Sequence, residues 1–571
     1  MTSSIGIESM PQNRFLHNEG LWIRIYILFT VTLFVARVVI FAGHHGGIEH
    51  DSGWYLGVAK NLAHRGIYAS YTNTIVAEGD GVHPSIHRRF AVQDENGFSY
   101  FPAGVTVGPG YVLPQALLLT VFGDGWWQYR LWPLITYTGL LVLLFYIVWL
   151  IGSLWSLVIL QMWLWAIPQL TTTFAYEAFS EHTALFYLFI SFLVYSKSDR
   201  KDQAYAYMFL TGFFLGLTVL TKLLFSLTLI VFAYFIMKEL LSSQLNMRNV
   251  CFRWTCLILG LVFPIFLFEF YRFIALYSHF GVQGWQAINE DFKLTFISQG
   301  SGINALGDLR VPFVLEKLRL WTDVGIRPSW LPWLIFLCSP AILMRRVPER
   351  YRSLLVLIYG ASMVNFVWFV LASPWGWVRH AWHGLVLAMM LVSTVVGISI
   401  RSRASRISKE GFIIVLLFLI VIGVSLQTEK TEFKPFLDQE TVKKWKVTRR
   451  GNRGLPHAPV FSLRDQQDTI SFFRAHIRQE DRVYYDGKFL VAEMSTLVDK
   501  VFYPLGRFVN NGPQTRAAGS SYLILGPYQK GQWRTVPEGY HQAVIRVFCD
   551  SVGFSNQSYT VCKIDEDLKL N

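Results

Sequence analysis

Two short acidic segments stand out between long apolar runs of the sequence. The segment HHGGIEHDSGWY (44–55) sets Asp51 beside His50 and Tyr55, and YEAFSEH (176–182) holds Glu177 and Glu181 four residues apart. A carboxylate can accept a proton from a hydroxyl group, and two carboxylates four residues apart share one helix face. A structural explanation is also open, because Asp caps helices and acidic residues favour a helix N-terminus. Taken together, two acidic segments from distant parts of the chain predict an acid/base or metal-binding cleft.

Basic side chains occur at two further places inside apolar sequence. Lys222 interrupts the run GLTVLTKLLF (216–225), and Arg379-His380 lies within WGWVRHAWH (375–383). Ionisable groups at membrane depth are costly and are usually functional, and a guanidinium is suited to a phosphate. The structural alternatives are a snorkelling Lys222 and an interfacial Arg379 anchored between tryptophans. The functional interpretation predicts a binding site for an anion at headgroup level.

The elements that position these residues are membrane spans. The chain has 571 residues, of which 53% are hydrophobic, 16% aromatic and only 16% charged. Stretches 131–150, 354–371 and 381–400 carry almost no charge and are long enough to cross a hydrocarbon core of about 30 Å. The net charge of +13 comes from short Lys/Arg runs between apolar segments, which mark cytoplasmic loops. The pattern therefore predicts a polytopic membrane protein and argues against nucleic acid as a partner.

The basic runs also predict the topology. With 197–201, 238–253, 345–352 and 401–409 placed in the cytoplasm, eight spans follow, at about 181–196, 205–220, 222–237, 254–275, 329–344, 353–372, 378–399 and 411–427. Three more lie upstream of residue 171, which gives eleven spans, a cytoplasmic N-terminus and an external C-terminus. The loops 44–130, 171–180 and 276–328 then face the same external compartment. Parity requires the Pro/Gly-rich stretch 103–121 to lie along the membrane or to dip in and return.

The last part of the chain has the composition of a soluble domain. We expect a transmembrane module at 1–428 and a small external α/β domain at 429–571, with an amphipathic helix at 466–479 and strands at RVYYDG, SSYLILG, AVIRVFC and SYTVCKI. Cys549 and Cys562 are candidates for a hairpin disulfide, which requires an oxidising compartment. Cys251 and Cys256 match no zinc pattern.

Five motifs in order resemble those of the GT-C superfamily of membrane glycosyltransferases, which includes the protein O-mannosyltransferases and the lipid A aminoarabinose transferases. DSGWYLGVAKNLAHRGIY (51–68) is similar to the first-loop motif of that superfamily, and FPAGVTVGP (101–109) to its juxtamembrane segment. SEHTALFYL (180–188), GLTVLTK (216–222) and Arg379-His380 are similar to its second acidic motif, its lysine-bearing span and its basic pair. The resemblance covers about residues 20–400.

The resemblance implies a transferase that uses a polyprenyl-phosphate sugar as donor and acts on the external, periplasmic face of a plasma (inner) membrane. Asp51 would take the proton of an acceptor hydroxyl on a lipid, glycan or protein, and Glu181, with Glu177 behind it, would orient sugar or acceptor. Lys222 and Arg379 would neutralise the lipid phosphate, which predicts inversion at the anomeric carbon by single displacement. The remaining expected substrate-binding residues are His380, His50 and Tyr55. The loop 276–328 is a candidate lid.

A departure from the superfamily pattern argues against a divalent metal site of the oligosaccharyltransferase type, and we expect neither a metal nor another cofactor. The first-loop acid of the superfamily is often followed by a second acid, whereas Ser52 follows Asp51 here. Two other classes of function compete with the enzyme: a flippase or transporter for lipid-linked sugars, and a catalytically silent binder of polyprenyl phosphate. Transporters typically show internal repeats and binding groups at the bilayer midplane. The sequence has no visible repeat, and its polar groups gather at one face, so the enzyme is favoured.

Overall fold

The computed structural model describes residues 12–44, 47–48, 50–71, 93–101, 108–166, 180–198, 204–241, 247–295, 314–315, 317–318, 330–373, 378–401, 463–486, 491–511, 519–527 and 539–565. The apolar part is helical: α1 (Gln12–His44), α2 (His50–Arg65), α3 (Pro109–Phe122), α4 (Leu131–Ile151), α5 (Leu154–Ala166), α6 (Ser180–Tyr195), α7 (Ala204–Thr221), α8 (Leu229–Leu240), α9 (Met247–Thr295), α10 (Trp330–Arg346), α11 (Arg352–Leu371) and α12 (Val378–Arg401). Seven helical segments of the described residues are long and apolar enough to cross a membrane. The predicted polytopic α-helical architecture is therefore confirmed.

Helices occupy ten of the eleven predicted spans, and the eleventh, 411–427, lies outside the described residues. Two boundaries differ from the prediction. The span expected from residue 222 begins with a 3-10 turn, Leu223–Thr228, before α8. Helix α9 continues past residue 275, so the first part of the predicted loop 276–328 is helical, with a kink at Gly281. Gly281 has φ of 65°, a conformation that glycine adopts without steric cost.

Helices α7 and α9 pack closely against each other. A Cβ atom on Gly212 would lie 1.9 Å from the Leu257 carbonyl oxygen, and one on Gly260 would lie 2.0 Å from the Phe209 carbonyl oxygen. Glycine at both positions lets the two backbones approach each other, as is common between membrane helices. Helix α12 lies at the centre of the bundle, since most of its residues between 380 and 400 are buried.

The first long loop contains short elements that stay at one end of the bundle. After α2, the strands β1 (Ala69–Ser70) and β2 (Ser99–Tyr100) form a small antiparallel pair. Helix α3 has 14 residues and is therefore about 21 Å long, too short to cross the hydrocarbon core. One face of α3 is buried, whereas Leu113, Leu117 and Val121 are exposed, as expected for a helix that lies along a membrane. The described part of 103–121 is therefore not a simple span, as predicted.

The C-terminal part forms a small α/β unit around a five-stranded sheet of order β4-β3-β5-β7-β6. Strand β3 is parallel to β4 and β5, and β7 is antiparallel to β5 and β6. The elements are α13 (Leu463–His476), β3 (Arg482–Tyr485), α14 (Ala492–Leu497), β4 (Phe502–Pro504), α15 (Leu505–Asn511), β5 (Ser521–Leu525), α16 (Tyr540–Phe548), β6 (Cys549–Ser555) and β7 (Thr560–Ile564). The predicted domain boundary at 428/429 lies outside the described residues.

Most predicted elements of this unit are confirmed, and one is wrong. The helix at 466–479 corresponds to α13, and three of the four predicted strands correspond to β3, β5 and β7. The fourth, AVIRVFC, is helical up to Phe548 in α16, and only its last residue, Cys549, belongs to a strand, β6. Its β-branched residues favour a strand, but Tyr540, Val544, Ile545 and Phe548 follow a helical period and pack on one apolar cluster. The candidate disulfide is present and joins Cys549 in β6 to Cys562 in β7.

Candidate active site

Helix α2 carries three of the predicted site residues, of which Asp51 and Tyr55 lie on successive turns. Asp51 lies in the first turn and is half-buried, and Tyr55 is buried one turn later. The Tyr55 hydroxyl lies 3.0 Å from Ser180 Oγ at the start of α6, and its ring packs edge-on against Tyr111 of α3. Burial raises the pKa of Tyr55, and the charge of Lys222 opposes part of that rise. Tyr55 is therefore a neutral hydrogen-bonding group at physiological pH.

The second acidic motif and the intramembrane lysine form a buried ion pair. Lys222 Nζ lies 3.0 Å from Glu181 Oε1, and the two side chains are only 14% and 3% exposed. Glu181 lies in the first turn of α6. Lys222 follows the last residue of α7 and has extended backbone angles (φ −150°, ψ 109°) before the 3-10 turn. This break in the helix places the ammonium group beside α6.

These groups share one site. The pKa of the Tyr55 phenol is affected by the charges of Lys222, Glu181 and Asp51, so all three lie within electrostatic range of that ring. The structure therefore brings together four residues from three segments that are up to 171 positions apart in the sequence. A half-buried carboxylate and a buried ammonium at one end of the bundle can together accept a proton and hold an anion.

A histidine that was not among the predicted site residues also lies near Lys222. His383 of α12 is 1% exposed, stacks on Phe225 at 4.1 Å between ring centroids, and interacts electrostatically with Lys222. It lies one helical turn beyond the predicted pair Arg379-His380. That spacing, which puts His383 on the same helix face as Arg379, is the signal that could have identified it.

Of the remaining predicted site residues, the structure describes the side chain of His380 alone. The ring of His380 lies 6.1 Å from that of Trp368 on α11, and its carbonyl oxygen accepts a hydrogen bond from Asn365 Nδ2 at 3.0 Å. Arg379 and His50 lie in the first turns of α12 and α2, and only their backbone is described. Glu177 lies outside the described residues.

Within the described ranges, no three His, Cys, Asp or Glu side chains form a group that could hold a metal ion. The carboxylate of Glu181 faces the ammonium of Lys222 instead. A fixed cation at that place would repel a metal ion and itself supplies positive charge to the site.

The bundle, the short helices of the first loop and the appended α/β unit together have the fold of ArnT, a fold that the resemblance of the motifs predicted. The apo crystal structure of ArnT, the lipid A aminoarabinose transferase, from Cupriavidus metallidurans matches with a TM-score of 0.55 and 14% identity over 94% of this chain and 98% of that chain. ArnT bound to undecaprenyl phosphate matches with a TM-score of 0.51, 14% identity and the same coverage.

A more distant match is the archaeal oligosaccharyltransferase AglB from Archaeoglobus fulgidus in complex with an inhibitory peptide and a dolichol-phosphate. Its TM-score is 0.43, with 11% identity over 96% of this chain and 75% of that chain. No protein-family model matches the sequence, and no curated protein sequence matches it. The likeness therefore establishes the fold, and function must be argued from the site.

Proposed function

We propose that this protein is a membrane glycosyltransferase that moves a sugar from a polyprenyl-phosphate donor to an acceptor hydroxyl on the external face of the membrane. The observation that carries the proposal is that Asp51, in the first turn of α2, and the buried Glu181–Lys222 pair all lie within electrostatic range of the Tyr55 ring. The fold supports it, because ArnT has the same fold and one ArnT structure holds undecaprenyl phosphate.

In the proposed reaction, Asp51 takes the proton of the acceptor hydroxyl while the acceptor oxygen attacks the anomeric carbon. The bond between that carbon and the phosphate oxygen breaks, and polyprenyl phosphate leaves with the electron pair. An aspartate with a pKa of about 4 is a weak base, so the proton moves in the transition state and not beforehand. Attack from the side opposite to the leaving group inverts the anomeric carbon.

Charge develops on the leaving phosphate, and Lys222 is the described cation best placed to stabilise it. Arg379 is assigned the same role from its position at the start of α12. We assign Glu181 the task of holding the Lys222 ammonium, since the two atoms are 3.0 Å apart, in addition to the orienting role that the motif implies. The proposed reaction needs no metal, because fixed ammonium and guanidinium groups neutralise the phosphate.

The further binding residues are assigned with the same reasoning. Tyr55 is assigned as a neutral hydrogen-bond donor one turn after Asp51, and His50 and His380, which lie at the starts of α2 and α12, are assigned to substrate binding. Glu177 is proposed to support Glu181 in orienting sugar or acceptor. The acceptor is a lipid, a glycan or a protein.

We place the protein in the plasma (inner) membrane of a prokaryote, with the site and the C-terminal domain on the periplasmic side. The Cys549–Cys562 disulfide supports this side for the domain, because disulfides persist in oxidising compartments. Packing of the C-terminal domain on the helix that carries Asp51, described below, supports the same side for the site.

The test is donor consumption by purified protein. Wild type, Asp51→Asn and a control, Asp94→Asn, are incubated with a panel of polyprenyl-phosphate sugars and a membrane extract that supplies acceptors. Asp94 is an acid of the same loop that accepts a hydrogen bond from the Phe98 amide. Mass spectrometry follows the release of polyprenyl phosphate. We expect release by wild type and Asp94→Asn and a loss of about 100-fold or more for Asp51→Asn, in the range of general-base catalysis.

The rival functions give different results. A flippase moves donor across vesicles without releasing polyprenyl phosphate and keeps most of its transport in Asp51→Asn. A silent binder retains donor binding without release. Equal release by wild type and Asp51→Asn would leave a transferase but remove Asp51 from its proposed role. Turnover that persists in EDTA supports the metal-free reaction, and turnover that EDTA abolishes and Mg²⁺ or Mn²⁺ restores contradicts it.

A further inference from the structure

The C-terminal domain holds the backbone immediately before Asp51. The Ile48 amide donates to Gln466 Oε1 at 2.8 Å, and Gln466 Nε2 donates to the Ile48 carbonyl oxygen at 2.7 Å. Gln466 lies on α13 and is fully buried. A single side chain therefore pairs with both polar groups of a residue 418 positions away, as a neighbouring strand would.

The same domain holds the backbone immediately after Asp51. Thr496 Oγ1, on α14, donates to the Gly53 carbonyl oxygen at 2.9 Å. A Cβ atom on Gly53 would lie 2.3 Å from Glu493 Cα, so only glycine allows α14 to pack this closely on α2. Thr496 is buried as well. The two contacts enclose Asp51 within a span of six residues.

Buried hydrogen bonds join both contacts to the sheet. Gln466 Nε2 also reaches the Tyr559 hydroxyl at 3.3 Å, and that hydroxyl donates to Glu493 Oε1 at 3.0 Å. Tyr559 precedes β7 and, like Glu493, is fully buried. The residues that touch α2 are thus supported by the core of the C-terminal domain.

The first turn of a helix needs such support more than its middle does. Its first four amide groups have no intrahelical acceptor, and helix ends open at lower free energy than helix interiors. Asp51 lies in this turn, and the described residues 47–48 before α2 form neither helix nor strand. A misplacement of about 1 Å can cost a reaction about 100-fold in rate.

We propose that Gln466 and Thr496 are positioning residues that hold Asp51 in its working place, and that the C-terminal domain thereby acts as a clamp on the catalytic helix. The proposal rests on the proposed function. It assigns the domain a role in the rate of the chemical step, whereas a domain that only binds acceptor would affect the KM for acceptor.

The test compares near-isosteric variants of the clamp with a control in the same domain. Thr496→Val removes the hydrogen bond to Gly53, and Thr496→Ser keeps it. Gln466→Leu removes both bonds to Ile48. The control is Asp481→Asn, which weakens the bonds of Asp481 to the Ser520 and Arg478 amides without touching α2.

We expect Thr496→Val and Gln466→Leu to lower kcat by roughly tenfold or more, with the KM for donor unchanged. We expect Thr496→Ser to keep the kcat of wild type. In an Asp51→Asn background, Thr496→Val should lower the residual rate no further, since the two residues act as a unit. Hydrogen exchange at the Ile48 amide should accelerate in Gln466→Leu and stay as in wild type in Asp481→Asn.

Other outcomes overturn the proposal. An unchanged kcat in both clamp variants, or an equal loss in Asp481→Asn, would show that the contacts serve only the stability of the domain. The same conclusion follows if Thr496→Val lowers the residual rate of Asp51→Asn by the same factor as it lowers the rate of wild type. A wild type that consumes no donor overturns the proposed function, and the exchange rate at Ile48 then supports or overturns the clamp by itself.

Discussion

Removal of the Lys222 charge alone should lower the stability of the protein more than removal of the Lys222 and Glu181 charges together. At the observed 3.0 Å separation, two unit charges attract by about 5.5 kcal/mol at an effective dielectric constant of about 20. Much of that attraction offsets the cost of taking both charges out of water. Lys222→Met leaves the carboxylate of Glu181 buried without its cation, which typically costs about 3–5 kcal/mol. The double variant Lys222→Met/Glu181→Gln has no net charge to bury, so we expect a stability close to that of wild type.

Stability and turnover should separate in this series. We expect the double variant to recover the thermal unfolding midpoint that Lys222→Met loses, but not the release of polyprenyl phosphate, because the cation for the leaving group is still absent. The control is Lys238→Met, which removes an exposed lysine from the last turn of α8. Unfolding is followed in detergent micelles, and donor turnover is followed by mass spectrometry.

Two results would refute this reasoning. A double variant as unstable as Lys222→Met would show that the loss does not come from an uncompensated Glu181. A double variant with wild-type turnover would show that Lys222 does not neutralise the phosphate. In that second case the ion pair would be a structural feature of the α6–α7 packing alone.

Two further predictions concern the C-terminal domain. Burial by itself raises the pKa of Asp499, but the hydrogen bond from Tyr71 and two neighbouring cations lower this pKa below its ordinary value. The ionised carboxylate therefore stabilises the packing of the C-terminal domain on the first loop above about pH 4, and this stabilisation is lost as the pH falls further. Asp499→Asn should therefore weaken this packing at pH 7 and make its stability depend less on pH, as measured by hydrogen exchange in β4 between pH 7 and pH 3. An unchanged dependence on pH would contradict this. The disulfide closes a separation of 13 residues, so Cys549→Ala/Cys562→Ala should lower domain stability by about 3 kcal/mol in denaturant titrations, and no loss would show that the hairpin holds without its bridge.

The spans and the motif residues could be predicted because their signals are local. The charge-free stretches 131–150, 354–371 and 381–400 correspond to α4, α11 and α12, since a membrane helix satisfies its own backbone and needs only length and apolarity. The short strands and α16 were harder. In AVIRVFC, residue preference and helical period point in opposite directions, and packing against the sheet decides the outcome.

The contacts among site residues could not be predicted, because they join segments that are far apart in the sequence. Glu181 and Lys222 each stood out as polar groups in apolar sequence, but their 3.0 Å contact depends on how α6 packs against the end of α7. Gln466 carries no sequence signal for its role: a glutamine on an amphipathic helix normally faces water, and nothing near position 466 indicates that it pairs with Ile48.

Catalytic residues and positioning residues also differ in how far their types can be recognised from sequence. Asp51 and Lys222 have types that the proposed chemistry needs, so a pattern of residue types can identify them in one sequence. Gln466 and Thr496 would serve through their hydrogen bonds to backbone groups, and many residue types could in principle hold a helix end. If the clamp controls kcat, the rate of the chemical step depends on a domain whose sequence carries no catalytic motif. Truncation of that domain would then abolish turnover even in a membrane module that still folds and still binds donor.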